Sequence, residues 1–168
     1  MQGLSIEYVG SNQAAQDHHG VIFNRTSAIV RCSIRNFPGH GLHIQGTVTN
    51  SDPSLNVSMS HASLCTVFHC GKSGVWIQGK DAQVMHIDNV NSFDNGKRTI
   101  DSDGYGFYDA SMLGNTYTAC HTRNNHIAGY KGDNYAPGAP NRSTYINCYS
   151  EHREAANPVD EGPALLGA

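Results

Sequence analysis

Short runs in which apolar and polar residues alternate recur along the chain, and each opens on a glycine. The clearest are Gly74-Val75-Trp76-Ile77-Gln78-Gly79 and Gly41-Leu42-His43-Ile44-Gln45-Gly46. Weaker copies stand at Gly20-Val21-Ile22-Phe23, Gly106-Phe107-Tyr108-Asp109 and Gly129-Tyr130-Lys131-Gly132. Alternation places successive side chains on opposite faces of a strand. The opening glycines are separated by 41−20=21, 74−41=33, 106−74=32 and 129−106=23 residues. A short strand returning at periods of about 20 to 30 residues marks a solenoid, in which each turn buries its apolar face only against its neighbours. No stretch keeps an apolar 3.6-residue period long enough for a helix. The pattern therefore predicts an all-β fold, a right-handed single-stranded parallel β-helix of about five turns with two or three short sheets.

Between the glycine phrases, further apolar runs supply the return strands: residues 3–9, Ala28 to Ile34, Leu55 to Met59, Leu64 to Phe68, Val84 to Val90, Asn115 to His121 and Thr144 to Tyr149. Pro38-Gly39 marks a corner before the Gly41 phrase. Ile34 and Val67 each lie seven residues before a phrase glycine (41−34=7, 74−67=7), which sets a register. In that register Ile34, Val67, Val90, Cys120 and Cys148 form one inward column. Arg35, Phe68, Asn91, His121 and Tyr149 follow as the outward set, and Asn36, Asn95 and Asn125 fall at corners, where amides bond between turns. The whole chain, 1–168, reads as a single domain. Neither the first strand nor the terminal Ala164-Leu165-Leu166-Gly167-Ala168 carries a polar cap, so a piece of a longer solenoid, or ends covered by another subunit, is expected.

Composition agrees with tight turns. Eighteen glycines accompany many asparagines and only 15% charged residues, and both Gly and Asn tolerate turn backbone. A net charge of −3 gives no basic footprint for nucleic acid, and no apolar run is long enough to span a membrane. The first residues lack the regions of a signal peptide. Cys32, Cys65, Cys70, Cys120 and Cys148 show no Cys-x-x-Cys spacing and read as small buried hydrophobes.

Candidate chemistry lies on outward positions. The second residue after each phrase glycine gives Ile22, His43, Trp76, Tyr108 and Lys131, with Trp76 and Tyr108 on adjacent turns. An aromatic ladder suits sugar rings, or equally a sheet or subunit contact. Asp101 and Asp103 leave the solenoid just before the rung that carries Asp109. Two of these carboxyls at the right separation would serve glycoside hydrolysis, all three with carbonyls would suit Ca²⁺, and a solvated turn is the plain alternative. A second set is His121, Arg123 and Glu151: a general base, a carboxylate-holding guanidinium and a carboxylate, or else a solvated polar ladder. The His18-His19 pair, and His61 or His69 near His86, offer imidazoles without ligand spacing, so no metal site is read from them.

Gly104-Tyr105-Gly106-Phe107-Tyr108-Asp109, Leu113-Gly114-Asn115-Thr116-Tyr117, Ala119-Cys120-His121 and Asn147-Cys148-Tyr149-Ser150-Glu151 resemble right-handed parallel β-helix proteins of the pectate lyase-like superfamily, notably its uncharacterised bacterial and phage tailspike-like members. The resemblance implies an extracellular or virion-associated module that binds a polysaccharide and degrades it as a hydrolase or lyase. The alternative it carries is a structural or adhesive shaft, assembled as a homotrimer. Gly39-His40-Gly41 is similar to a polygalacturonase motif, but the Asn-Thr-Asp, Asp-Asp and Arg-Ile-Lys partners of that motif are missing. His40 is therefore read as a surface histidine between two turn glycines.

Overall fold

The computed structural model describes residues 2–10, 18–47, 55–96, 103–133 and 141–151. Among the described residues sixteen short strands form three parallel sheets. The rung sheet holds β2 (Val21–Phe23), β5 (Leu42–Gln45), β8 (Val75–Gly79), β11 (Tyr105–Ser111) and β14 (Ala128–Gly132). The middle sheet holds β3 (Ala28–Val30), β6 (His61–Ser63), β9 (His86–Asp88), β12 (Thr116–Thr118) and β15 (Thr144–Ile146). The return sheet holds β1 (Ser5–Glu7), β4 (Ser33–Arg35), β7 (Thr66–Phe68), β10 (Asn91–Phe93), β13 (His121–Arg123) and β16 (Tyr149–Glu151). Each coil passes through rung, middle and return strands in turn, and each strand pairs in parallel with its equivalent one coil away. The fold is a parallel β-helix, as the repeat predicts.

Four of the runs read as single return strands, Ala28 to Ile34, Val84 to Val90, Asn115 to His121 and Thr144 to Tyr149, are interrupted by a corner. A left-handed residue splits Ala28 to Ile34 at Arg31 (φ 56°), and Leu64, Asn89, Ala119 and Asn147 (φ 54°, 51°, 50° and 51°) stand at the same corner of later coils. A left-handed non-glycine residue costs about 1–2 kcal/mol. The corner holds because its amides bond from coil to coil: Arg31 N–H donates to Ser63 O at 3.0 Å, Asn89 N–H to Thr118 O at 2.8 Å and Ala119 N–H to Ile146 O at 2.8 Å. Arg31, Leu64 and Ala119 are not turn formers, so the sequence carries no turn signal at those three corners. Leu55 to Met59 forms no strand, and β6 follows it instead.

The break shifts the expected columns. Ile34 and Val67 do stack, but the column runs Ile6, Ile34, Val67, Ser92, Thr122, Ser150. Val90, Cys120 and Cys148 lie two residues earlier, at the first corner, above Cys32 and Cys65. Their inward placement is right; their column is not. The hydroxyls of the true column are bonded inside the solenoid: Ser92 Oγ donates to Gly106 O at 2.8 Å, and Thr122 Oγ1 and Ser150 Oγ share a bond of 3.1 Å. At the second corner Asn95 and Asn125 form an amide ladder, Asn95 Nδ2 donating to Asn125 Oδ1 at 2.9 Å. Asn36 is not part of it; it occupies the left-handed position (φ 66°) and bonds Glu7, while Phe37 takes the inward place.

The phrase glycines owe their identity to space. Gly41, Gly74, Gly106 and Gly129 have no positive φ, yet a Cβ on each would collide with the return-sheet column: Val67 at Gly41, Ser92 at Gly74, Thr122 at Gly106 and Ser150 at Gly129. Rung and return sheets thus meet on that line with only the return-strand side chain between them. Elsewhere the core is aliphatic at one end (Ile29, Ile44, Ile77, Ile87) and aromatic at the other, where Phe107 stacks on Tyr130 at 5.2 Å and Tyr117 on Tyr145 at 4.8 Å. Gly74→Ala is expected to lower stability by about 1–3 kcal/mol in urea unfolding. Combined with Ser92→Ala, the loss should be smaller than the sum of the two single losses, since the second change removes the atom that the new methyl strikes.

Candidate functional site

The rung face carries the ladder read from the sequence. Ile22, His43, Trp76, Tyr108 and Lys131 are in register on successive coils. Its rings stack on one another: His43 on Trp76 at 4.4 Å and 16°, Trp76 on Tyr108 at 6.3 Å and 24°. Both faces of the indole are therefore covered by ladder neighbours, and what remains toward solvent is ring edge. Lys131 closes the ladder, its Nζ 4.7 Å from the Tyr108 ring centre and 3.1 Å from Asp133 Oδ2. Tyr108 also donates to Asp133 Oδ2 at 3.0 Å, and burial, then that bond, pushes its hydroxyl up to about 12. The ladder rings thus face mainly one another.

Beneath the ladder lies a cluster that sequence reasoning missed. His40 is fully buried, not a surface residue, and its ring lies 4.3 Å from Trp76, 5.1 Å from His19 and 5.8 Å from His43. His19 Nδ1 accepts the His40 backbone N–H at 3.0 Å. Neither ring nitrogen of His40 has a hydrogen-bond partner. Burial first, then the charges of His19, His43 and Lys72, holds His40 down at about 2; burial, His19 and Lys72 hold His43 at about 3. The Pro-Gly corner that packs His40 inward was legible; its direction was not. His61 and His86 are in register on the middle sheet, yet among the described residues no three His, Cys, Asp or Glu side chains are arranged for a metal ion.

The aspartates separate. Asp101 lies outside the described residues. Asp103 is half-buried at the mouth of its loop, where its carbonyl accepts Ser73 Oγ at 3.0 Å. Asp109, read as a candidate acid, points into the solenoid, stacked between Ile77 and Gly132 in a column that is otherwise apolar. Its Oδ2 accepts Tyr117 OH at 2.9 Å, Asn115 Nδ2 at 3.0 Å and Ser143 Oγ at 2.6 Å, and its Oδ1 accepts Ser111 N–H at 3.0 Å. Burial and the facing carboxylate hold the Tyr117 hydroxyl well above its ordinary range, so it stays a donor. A carboxylate engaged in this way has neither the exposure of an acid–base catalyst nor a free oxygen for Ca²⁺.

The return face gathers the other set. The outward residues expected as one column divide into two. One runs Glu7, Arg35, Phe68, Phe93, Arg123, Glu151, and beside it runs Ser5, Ser33, Thr66, Asn91, His121, Tyr149. The first column reads the same in both directions. Phe68 and Phe93 stack at 5.0 Å and 12°, Arg35 and Arg123 cover their outer faces at 6.0 and 5.3 Å, and Glu7 pairs with Arg35 at 2.7 Å. His121, Arg123 and Glu151 thus meet on one face, with His121 Nε2 3.8 Å from Glu151 Oε2. Asn91, Phe93, His121 and Arg123 line a shallow depression between the columns. At this depression Arg123 Nε and His121 Nε2 are shielded from water and have no hydrogen-bond partner.

Two outcomes follow. Asp109→Asn removes the charge on which four donors converge and sets an NH₂ against at least the Ser111 N–H, so it is expected to cost about 3 kcal/mol in urea unfolding, whereas Asp103→Asn should stay within about 0.5 kcal/mol of the parent. The histidine cluster makes stability fall with acid. Above the ordinary value of 6.5 both rings are neutral in folded and unfolded chains. Below it the unfolded chain takes up protons that folded His40 and His43 refuse until about 2 and 3. Each ring therefore removes about 1.4 kcal/mol per pH unit across that window. Trp76, the single tryptophan, touches both rings, and its fluorescence reports the transition. His43→Gln should reduce the slope by one proton.

No protein-family model, curated protein or solved structure matches this chain.

Proposed function

We propose that this β-helix is a carbohydrate-recognition module that binds an acidic polysaccharide along its return face. The observation that carries the reading is the depression on the return face, where the Arg123 guanidinium and the His121 imidazole come together with Asn91 and Phe93. A guanidinium is suited to a planar carboxylate, so Arg123 favours an anionic polymer here. Asn91 supplies an amide for neighbouring hydroxyls, and the repeat of the face along the solenoid offers an extended chain a track. The fit to chemistry is elimination. Arg123 neutralises a uronate carboxylate, which acidifies the adjacent C5–H; His121, held against Glu151, takes that proton, the C4–O glycosidic bond breaks as the C4–C5 double bond forms, and the departing oxygen is protonated by water. Hydrolysis by the aspartate loop finds less support, because Asp109 is buried and fully bonded.

A second reading, a non-catalytic shaft, is favoured by the self-stacked rung ladder, whose side chains serve one another. Titration calorimetry against uronate-rich and neutral polysaccharides separates the two. Recognition predicts binding of the acidic polymers alone, weakened by salt and by about tenfold or more in Arg123→Gln. Ultraviolet absorbance from an unsaturated uronate, lost in His121→Ala, assigns elimination; binding without it assigns a recognition module. Equal silence toward all polymers, together with a trimer in sedimentation, overturns the proposal in favour of the shaft.

A further inference from the structure

Four of the five cysteines share one column. Cys32, Cys65, Val90, Cys120 and Cys148 follow the left-handed corner residue of successive coils. Their carbonyls accept in sequence from the next coil: Cys32 O from Thr66 N–H at 2.9 Å, Cys65 O from Asn91 N–H at 2.9 Å, Val90 O from His121 N–H at 3.0 Å and Cys120 O from Tyr149 N–H at 2.9 Å. Stacked residues of a parallel ladder stand about 4.8 Å apart, and a disulfide spans Cα separations of about 4.4–6.8 Å. Adjacent cysteines of this column are therefore placed to be joined without moving the backbone far.

The two vicinal pairs differ. Cys32 and Cys65 are both buried, and Cys65 Sγ donates to Ser63 O at 3.2 Å. Cys120 is buried but Cys148 is only partly so. The Cys148 thiol reaches back to Tyr117 O at 3.4 Å, the coil of Cys120, while Cys120 Sγ reaches Ile87 O at 3.3 Å. Tyr130 OH, which donates to Cys120 O at 2.8 Å, stands beside the pair. We propose that Cys148 and Cys120 form a peroxide-sensitive thiol pair that closes to a disulfide between adjacent coils.

The chemistry balances with hydrogen peroxide as oxidant. The Cys148 thiolate attacks one peroxide oxygen; the O–O bond breaks, and the departing hydroxide is protonated to water. Cys148 is left as a sulfenic acid. The Cys120 sulfur then attacks the Cys148 sulfur, the S–O bond breaks, and hydroxide leaves as water with the Cys120 proton. Two thiols and one peroxide give one disulfide and two waters. The roles follow from position, since the partly exposed sulfur meets the oxidant and the buried one resolves it. The neighbouring Cys120 thiol holds the Cys148 thiol below its ordinary range against the effect of burial, and the same proximity, with burial, raises Cys120. Val90 interrupts the column, so exchange cannot run on to Cys65 and Cys32.

The test uses the full chain, reduced and freed of reductant, then given graded hydrogen peroxide under native conditions. Remaining thiols are alkylated after unfolding and read by intact mass and peptide mapping. The expected result is loss of two of the five alkylatable thiols, a linked peptide joining Cys120 to Cys148, and a thermal midpoint that rises by several degrees and returns on reduction. The rate should climb with pH as the Cys148 thiolate forms and level below the ordinary thiol range. Cys120→Ser should stop at a sulfenic acid on Cys148 that dimedone captures, and Cys148→Ser should keep its four thiols at the same dose, each variant being checked for native circular dichroism. Five intact thiols in the folded parent protein, a bond mapped to any other pair, or linkage that appears only after unfolding overturns the proposal, and the parent-protein result decides even where a variant fails to fold.

Discussion

The rung sheet and the return sheet touch through glycine. At Gly41, Gly74, Gly106 and Gly129 the backbone lies directly against the inward side chain of the return strand, and a single methyl would force the two sheets apart. This contact fixes the width of every coil. With the width fixed, equivalent residues fall over one another, the strands pair in register, and each side chain has as its nearest partner the side chain one coil above or below. Columns, rather than strands of three to seven residues, become the units in which this protein stores stability and presents chemistry.

The columns explain how polar groups come to sit inside. The inward return column changes from Ile34 and Val67 to Ser92, Thr122 and Ser150, and the second corner changes from Phe37 and Cys70 to Asn95 and Asn125. Stacking brings donors and acceptors together from one coil to the next, so buried polar groups are satisfied as sets. Asp109 is the extreme case, a carboxylate among apolar neighbours with four donors around it. His40 is the opposite case, a buried ring with nothing to bond. The two ends of the domain accordingly respond to different conditions, the first coils to protons and the last to oxidant.

The repeat of glycine and alternating residues was enough to read the fold and the outward rung ladder, because alternation and period are direct images of the pleat and the coil. The middle-to-return corner was hidden, since Arg31, Leu64 and Ala119 carry no turn signature and adopt the left-handed region only under the pull of coil-to-coil bonds. That corner displaced the later columns. The spacing that linked Ile34 and Val67 to their glycines also links Thr122 to Gly129 (129−122=7), but an apolar residue nearby, Cys120, was the more natural inward choice. Of the site, the grouping of His121, Arg123 and Glu151 was legible from sequence position. The burial of Asp109 and His40 was not, because it depends on which neighbours stack around them.

The left-handed corners also govern how such a chain tolerates change in length. Each coil enters and leaves through the same pair of corners, so the solenoid behaves as a lattice with one defined seam per repeat. Loss of a single residue between the two corners would rotate every later column by one face. The count of residues from β3 through β4, and through the same stretch of each later coil, is therefore held more tightly than any other length in the repeat: a change there is paid for by every coil that follows, not only by the one that carries it.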